Sequence, residues 1–271
     1  MTTSGQPRTV PGSSGSSAGD VVTSEVLDGV QVITICRPQV RNAINTAAAE
    51  AIAAALDELD ERNDISLGVL TGAGGTFCAG MDLKAFLAGE RPVVPGRGFA
   101  GLVERPPVKP LIAAVEGAAV AGGFEIALAC DLIVAAENAV FGLPEVKRGL
   151  VAAGGGLLRL PARVPYHLAM QWALTGETIT AAQAHAASLV NRLTAPGGAL
   201  EGALSLARTI AANGPLAVRA TKQIIARSRD WTADEGFARQ AELSEPVRSS
   251  QDAREGALAF TEKRAPVWRS R

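Results

Sequence analysis

The sequence predicts an α/β fold, with a core of mainly parallel strands over residues 21–200 and a helical region over 201–271. Two observations predict it. Before residue 150, short apolar runs, glycine turns and helix-like runs alternate repeatedly, as they do where parallel strands are joined by helices. Beyond residue 160 the texture changes to alanine-rich helical segments with short breaks.

Taken in order, residues 1–20, "MTTSGQPRTVPGSSGSSAGD", are polar with almost no apolar anchor, and read as a disordered tail rather than a secretory signal. "EVLDGVQVITICRP" reads as two strands around the Asp28-Gly29 hairpin signal. "NTAAAEAIAAALDELDERND" is a helix: Asn45 or Thr46 caps it, and Ile52, Leu56 and Leu59 recur at helical spacing. "SLGVLTGAG" is a buried strand, "TFCAGMDLKAF" a turn into a helix, and "GERPVVPGRG" a mobile loop rich in Gly and Pro. "KPLIAAVEGAAV" reads as one further buried strand, "GGFEIALACD" as a helix, "LIVAAEN" as a strand and "AVFGLPE" as a strand entering a turn. The segments after residue 160 all read as helices, a layer suited to covering an active site or forming an oligomer interface.

Composition narrows the function. The chain has 271 residues, 47% hydrophobic and 20% charged, with a formal net charge of -1. That is the balance of a soluble globular protein and too little positive charge for nucleic acid as the main partner. No stretch reaches the roughly 20 uncharged apolar residues of a membrane span. Cys36, Cys78 and Cys130 are odd in number and far apart, which predicts a reducing, cytoplasmic setting and no zinc site. The only histidines, His167 and His185, fall in the helical half and read as surface or partly packed residues.

The chemistry gathers in "GGFEIALACDLIVAAENAVFGLPEV". In "AGMDL" and "VAGGF" a strand runs into glycine and a helix follows. Amides at a helix start lack partners within the helix and face outward along its dipole. If Met81 and Gly122 donate to one point, they form an oxyanion hole, worth ~3 kcal/mol per donor to a developing negative oxygen. Glu125 lies in the first turn of the same helix, and a returning strand brings Glu145 to the same edge. Two carboxylates in an apolar pocket divide roles, one keeping a proton while the other stays ionised, and such a pair can hold and activate water. The plainer alternative leaves Glu125 as a helix N-terminal charge and Glu145 in a solvated loop. "GAGGTF" and "AAGGGLL" fit neither phosphate-binding glycine pattern and read as tight turns.

The segments "RPQVRNAIN", "GTFCAGMDLK", "AAVEGAAVAGGFEIALACDLIVAAENAVFGLPEVKRGL" and "EGALAFTEKRAPVW" resemble the crotonase superfamily, and within it the enoyl-CoA hydratases, over residues 22–268. The resemblance implies a crotonase-like superhelix of ββα repeats, a C-terminal helical trimerisation region, and a homotrimer or homohexamer. It implies Met81 and Gly122 as donors to a thioester oxygen. Glu125 then orients and activates a water, and Glu145 supplies a proton to C2. It places acyl-CoA contacts at Arg41, Ala43, Ala79, Met81, Asp82, Leu83 and Lys84, with Lys263 from a neighbouring subunit. It implies no metal and no cofactor, coenzyme A being part of the substrate. Many hydratases carry Pro-Gly where this chain has Ala152 and Ala153, a departure that shifts the expected water site. "AGMDLKAFLAGE" and "GRGFAGL" are also similar to carnitinyl-CoA dehydratases. Enoyl-CoA isomerase, a non-catalytic acyl-CoA-binding protein and a nucleotide binder using the glycine loops stand as alternatives.

Overall fold

A computed structural model describes residues 20–271. The expected polar tail, Asp20 apart, lies outside the described residues. The chain runs β1 (Val22–Leu27), β2 (Val30–Ile35), α1 (Thr46–Glu61), β3 (Leu67–Gly72), α2 (Leu83–Leu87), β4 (Val93–Val94) and β5 (Gly98–Phe99). It continues β6 (Leu111–Val115), β7 (Ala118–Val120), α3 (Gly122–Ala129), β8 (Leu132–Ala136), β9 (Val140–Gly142), α4 (Gly156–Arg159) and α5 (Tyr166–Thr175). Then follow β10 (Ile179–Thr180), α6 (Ala181–Ala186), β11 (Arg192–Thr194), α7 (Ala199–Ala211), α8 (Pro215–Arg227), α9 (Gly236–Arg248) and α10 (Gln251–Glu262).

The larger sheet has the order β1-β2-β3-β6-β8-β11. All its neighbours are parallel except the β1–β2 hairpin. That hairpin turns at Asp28 and Gly29, both with positive φ (50° and 77°), the geometry two-residue hairpin loops require. Alternation along the strands serves two cores. Val30 and Val32 of β2 pack with Ala199, Ala203 and Ala207 of α7, whereas Ile33 and Ile35 pack with Ile52 and Leu56 of α1. The sheet is thus buried on both faces, which is why its strands read as continuous apolar runs. Asn45 caps α1 by accepting from the Ala48 amide.

A smaller sheet, β10-β9-β7, stands beside it. Here the structure corrects the sequence reading. "KPLIAAVEGAAV" is two strands, β6 in the large sheet and β7 in the small one, separated at Glu116-Gly117. Gly117 has φ 56°, and a Cβ there would strike the Gly75 carbonyl. Apolar composition marks both halves as buried but carries no mark of a change of sheet. The region after 160 is likewise not all helix: β10 and β11 complete the two sheets, too short for any periodicity to register. The segment expected as a mobile loop forms the β4–β5 hairpin and is tied down by Arg97, a buried side chain paired with Asp57 of α1. The boundary expected between residues 200 and 201 falls inside α7, which covers one face of the large sheet. Beyond it, α9 buries no residue of its own, and Phe237 and Phe260 are 85% and 87% exposed.

Candidate active site

Two backbone corners meet beside α3. In the first, residues 41–44 run alongside 79–82. The Ala79 amide donates to Arg41 O (3.0 Å), Ile44 to Gly80 O (2.8 Å) and Asp82 to Ile44 O (2.9 Å). In a parallel bridge of this kind the middle residue of the flanking strand turns its own N–H to the other side. That residue is Met81, bridged to Ile44. The second corner is the start of α3. Ala121 turns the chain with φ 53° and ψ −131°, a conformation that costs a non-glycine residue about 1–3 kcal/mol. Its amide is spent on Gly142 O (2.9 Å). Gly122 then opens the helix, so its N–H belongs to the set without intrahelical partners.

The corners are in contact. A Cβ at Gly80 would lie 3.0 Å from the Gly122 nitrogen and 3.0 Å from the Ala121 Cβ. Only glycine, at φ 95°, permits that approach, and it carries the Met81 amide to the side of Gly122. Below them Gly123 rests against the Cys78 carbonyl. Burial pushes the Cys78 thiol up to about 12, so it is no nucleophile. Above Gly122 stands the Phe99 ring, 2.5 Å from where a Cβ would be. These contacts set the Gly80–Met81 corner against Gly122.

Glu125 projects from the first turn of α3 and is 4% exposed. Its Oε1 accepts from the Gly156 amide (2.9 Å), and a Cβ at Gly154 would come within 2.6 Å of Oε2. Burial raises the Glu125 carboxyl above the ordinary range. The Gly156 amide opposes this, the Glu145 charge adds to it, and the Gly154 amide and Arg159 oppose it. Glu145 sits in the 3-10 turn Pro144–Arg148 that follows β9. Burial raises its carboxyl too, offset only by its own amide and Arg148. Its Oε2 is buried and has no hydrogen-bond partner among the described residues. Glu125 therefore feels the Glu145 charge, and the two differ: Glu125 is cradled by glycine amides, whereas Glu145 leaves Oε2 without a partner. This rules out the plainer reading of Glu145 as a fully solvated loop residue.

The remaining candidates separate. Arg41, Ala43, Ala79 and Met81 gather on the paired segments 41–44 and 79–82. Leu83 and Lys84 are exposed at the start of α2. Asp82 has its oxygens committed. Oδ1 caps α2 through the Lys84 and Ala85 amides (3.1 and 3.2 Å), and Oδ2 pairs with Arg37 (2.9 Å). Burial opposes its ionisation, but those amides and Arg37 hold it below the ordinary range. Lys263 ends α10 at φ 54°, exposed, and no hydrogen bond or ion pair among the described residues ties it to the others. Among the described residues no three His, Cys, Asp or Glu side chains could hold a metal ion. None of the described helices is long and apolar enough to cross a membrane.

Sequence reasoning missed Gly154, Gly156, Phe99 and Arg159. The signal for the glycines was present. "AAGGGLL" reads as a tight turn, yet its amides hold a carboxyl, the chain's own Glu125. Ala152 is buried and Ala153 exposed just before this cradle.

Residues 25–271 match the family described as enoyl-CoA hydratase/isomerase. The chain is similar to an enoyl-CoA hydratase, EchA19, of Mycobacterium tuberculosis, 44% identical over 89% of this chain and 93% of that protein. It is 43% identical to a carnitinyl-CoA dehydratase of Salmonella arizonae over 88% and 94% of the two. Among solved structures, an enoyl-CoA hydratase from Mycobacterium marinum superposes with a TM-score of 0.92 at 58% identity, covering 93% of this chain and 100% of that one.

Proposed function

The chain belongs to the enoyl-CoA hydratase/isomerase family, and on that premise we propose that it is an enoyl-CoA hydratase. It adds water syn across the C2=C3 bond of a 2-enoyl-CoA and, in reverse, dehydrates a 3-hydroxyacyl-CoA. One observation carries the reading: two carboxylates with raised pKa values lie beside a pair of abutting backbone amide corners. An isomerase needs one proton-shuttling carboxylate, whereas addition of water needs a base for the water and an acid for carbon.

The amides of Met81 and Gly122 donate to the thioester oxygen as it gains enolate character. Glu125, whose oxygens lie against the Gly156 and Gly154 amides, takes in its ionised form a proton from water while the water oxygen bonds to C3. Glu145 delivers its proton to C2. Burial raises its carboxyl, which favours the protonated form this role needs. Afterwards Glu125 holds a proton and Glu145 lacks one, and exchange with solvent restores both. The segments 41–44 and 79–84, with Lys263 of a neighbouring subunit, are the proposed contacts of the coenzyme A part. Asp82 acts there through the backbone it caps. The exposed Phe237 and Phe260 favour burial in a homotrimer or homohexamer.

Similarity to carnitinyl-CoA dehydratases supports a second reading, dehydration of a hydroxyacyl-CoA of that type. The test follows enoyl absorbance with crotonyl-CoA, a longer 2-enoyl-CoA and carnitinyl-CoA. Hydration of either enoyl-CoA supports the first reading. Turnover of carnitinyl-CoA alone supports the second, and no turnover of any of them defeats both.

A further inference from the structure

Arg159, the last residue of α4, is half-buried and forms no ion pair among the described residues. Its two terminal nitrogens point in two directions. Nη2 donates to the Val103 carbonyl. Nη1 lies over Gly155 so closely that any Cβ there would collide with it. Val103 is buried, and its amide reaches back to Phe99 O (3.3 Å), whose ring covers Gly122. Gly155, at φ 88°, sits between Gly154 and Gly156, the two residues whose amides hold Glu125. One guanidinium thus spans from the wall above the amide corner to the cradle of the catalytic carboxylate.

We propose that Arg159 is a positioning residue for the hydration reaction: it ties the Phe99–Val103 segment to the glycine cradle and sets an unneutralised positive charge behind Glu125. The inference rests on the functional reading above. The charges facing Glu125 are Glu145, from the turn after β9, and Arg159, from α4. Arg159 in turn faces Glu125 and Cys130, with Arg163 on its other side. Arg159 is therefore the one cation acting on Glu125 among these groups, and it opposes both burial and Glu145.

The test compares wild type with Arg159→Met and Arg159→Lys. Methionine keeps an apolar stem and removes the charge and the Nη2 donor. Lysine keeps the charge and loses one arm. Removing a positive charge beside a carboxylate raises its pKa, so the base is less ionised at a given pH. In Arg159→Met the acid limb of kcat/KM should move to higher pH, with kcat/KM lowered along that limb and regained as the pH rises. In Arg159→Lys the limb should stay at its wild-type position. A limb unmoved in Arg159→Met, with only a lower Tm, would make Arg159 a packing residue and overturn the inference. Should Arg159→Met fail to fold, Arg159→Gln carries the same comparison. Carbon-detected NMR titration of the Glu125 carboxyl needs no substrate and separates the two claims. An upward shift relative to wild type, in a protein that hydrates no enoyl-CoA, sustains the role of Arg159 toward Glu125 and defeats the hydratase reading. Absence of that shift overturns the inference whatever the activity.

Discussion

Glu125 and Glu145 are the same side chain in the same apolar neighbourhood, yet their surroundings are opposite. Glu125 is locked by its position on α3 and by amides from the turn before α4. Glu145 rides a short 3-10 turn and leaves a buried oxygen without a partner. The difference teaches that acid and base roles need not be written in residue type. Backbone N–H groups aimed at a carboxylate oppose the pull of burial toward the neutral acid, and Glu125 has two glycine amides where Glu145 has only its own.

The most direct way to break this comparison is to remove the unsatisfied acid. Glu145→Gln should lower kcat by about 10²–10⁴ while leaving acyl-CoA binding intact, measured by turnover and by titration with a non-reactive acyl-CoA. Full activity would end the assignment of Glu145 as proton donor. The same variant has a second readout. Because the Glu145 carboxyl is raised in the folded protein, its contribution to stability is full below the ordinary value of 4.5 and is lost as pH rises through the folded value. Glu145→Gln lacks that loss, so at pH 8 its Tm should exceed wild type by ~1–2 °C, kept small by the solvent reaching the residue. The gap should close toward pH 4. A gap of opposite sign would mean that Glu145 is held as an anion.

Removing one donor from the amide corner should cost somewhat less. Gly122→Pro deletes an N–H at the first helical position and its ring displaces Phe99, and kcat should fall by at least about 10²–10³. Circular dichroism checks that the fold survives; a folded, fully active variant would dissociate Gly122 from the chemistry. The smallest effect is expected above that corner. Phe99→Ala opens the wall over Gly122 without touching either glutamate. It should improve the kcat/KM of a longer or branched enoyl-CoA relative to crotonyl-CoA by about tenfold. An unchanged ratio would place the acyl chain elsewhere.

Much of this site was legible before the structure, for physical reasons. Glu125 stood out because a carboxylate in an apolar helix demands a partner, and Met81 and Gly122 because glycine before a helix start exposes amides. The glycine cradle was harder to read. "AAGGGLL" fits no phosphate pattern, and no local rule says that its anion sits 31 residues earlier in the chain. Phe99 and Arg159 act across contacts between distant segments, invisible to spacing along the sequence. In the fold, α1 and the hairpin followed from capping and turn chemistry. The change of sheet at Gly117 did not, since β6 and β7 share one composition and differ only in their neighbours.

That change of sheet bears on how the molecule comes to life. Met81 belongs to a corner anchored through Cys78 to β7, and Gly122 follows β7 directly, while β6 just upstream is bound into the large sheet. The large sheet by itself would supply neither the amide corner nor β9, which leads into the turn of Glu145. The small sheet thus carries both the amide corner and the turn of Glu145, so the proposed site depends on the docking of the two sheets and not on either alone.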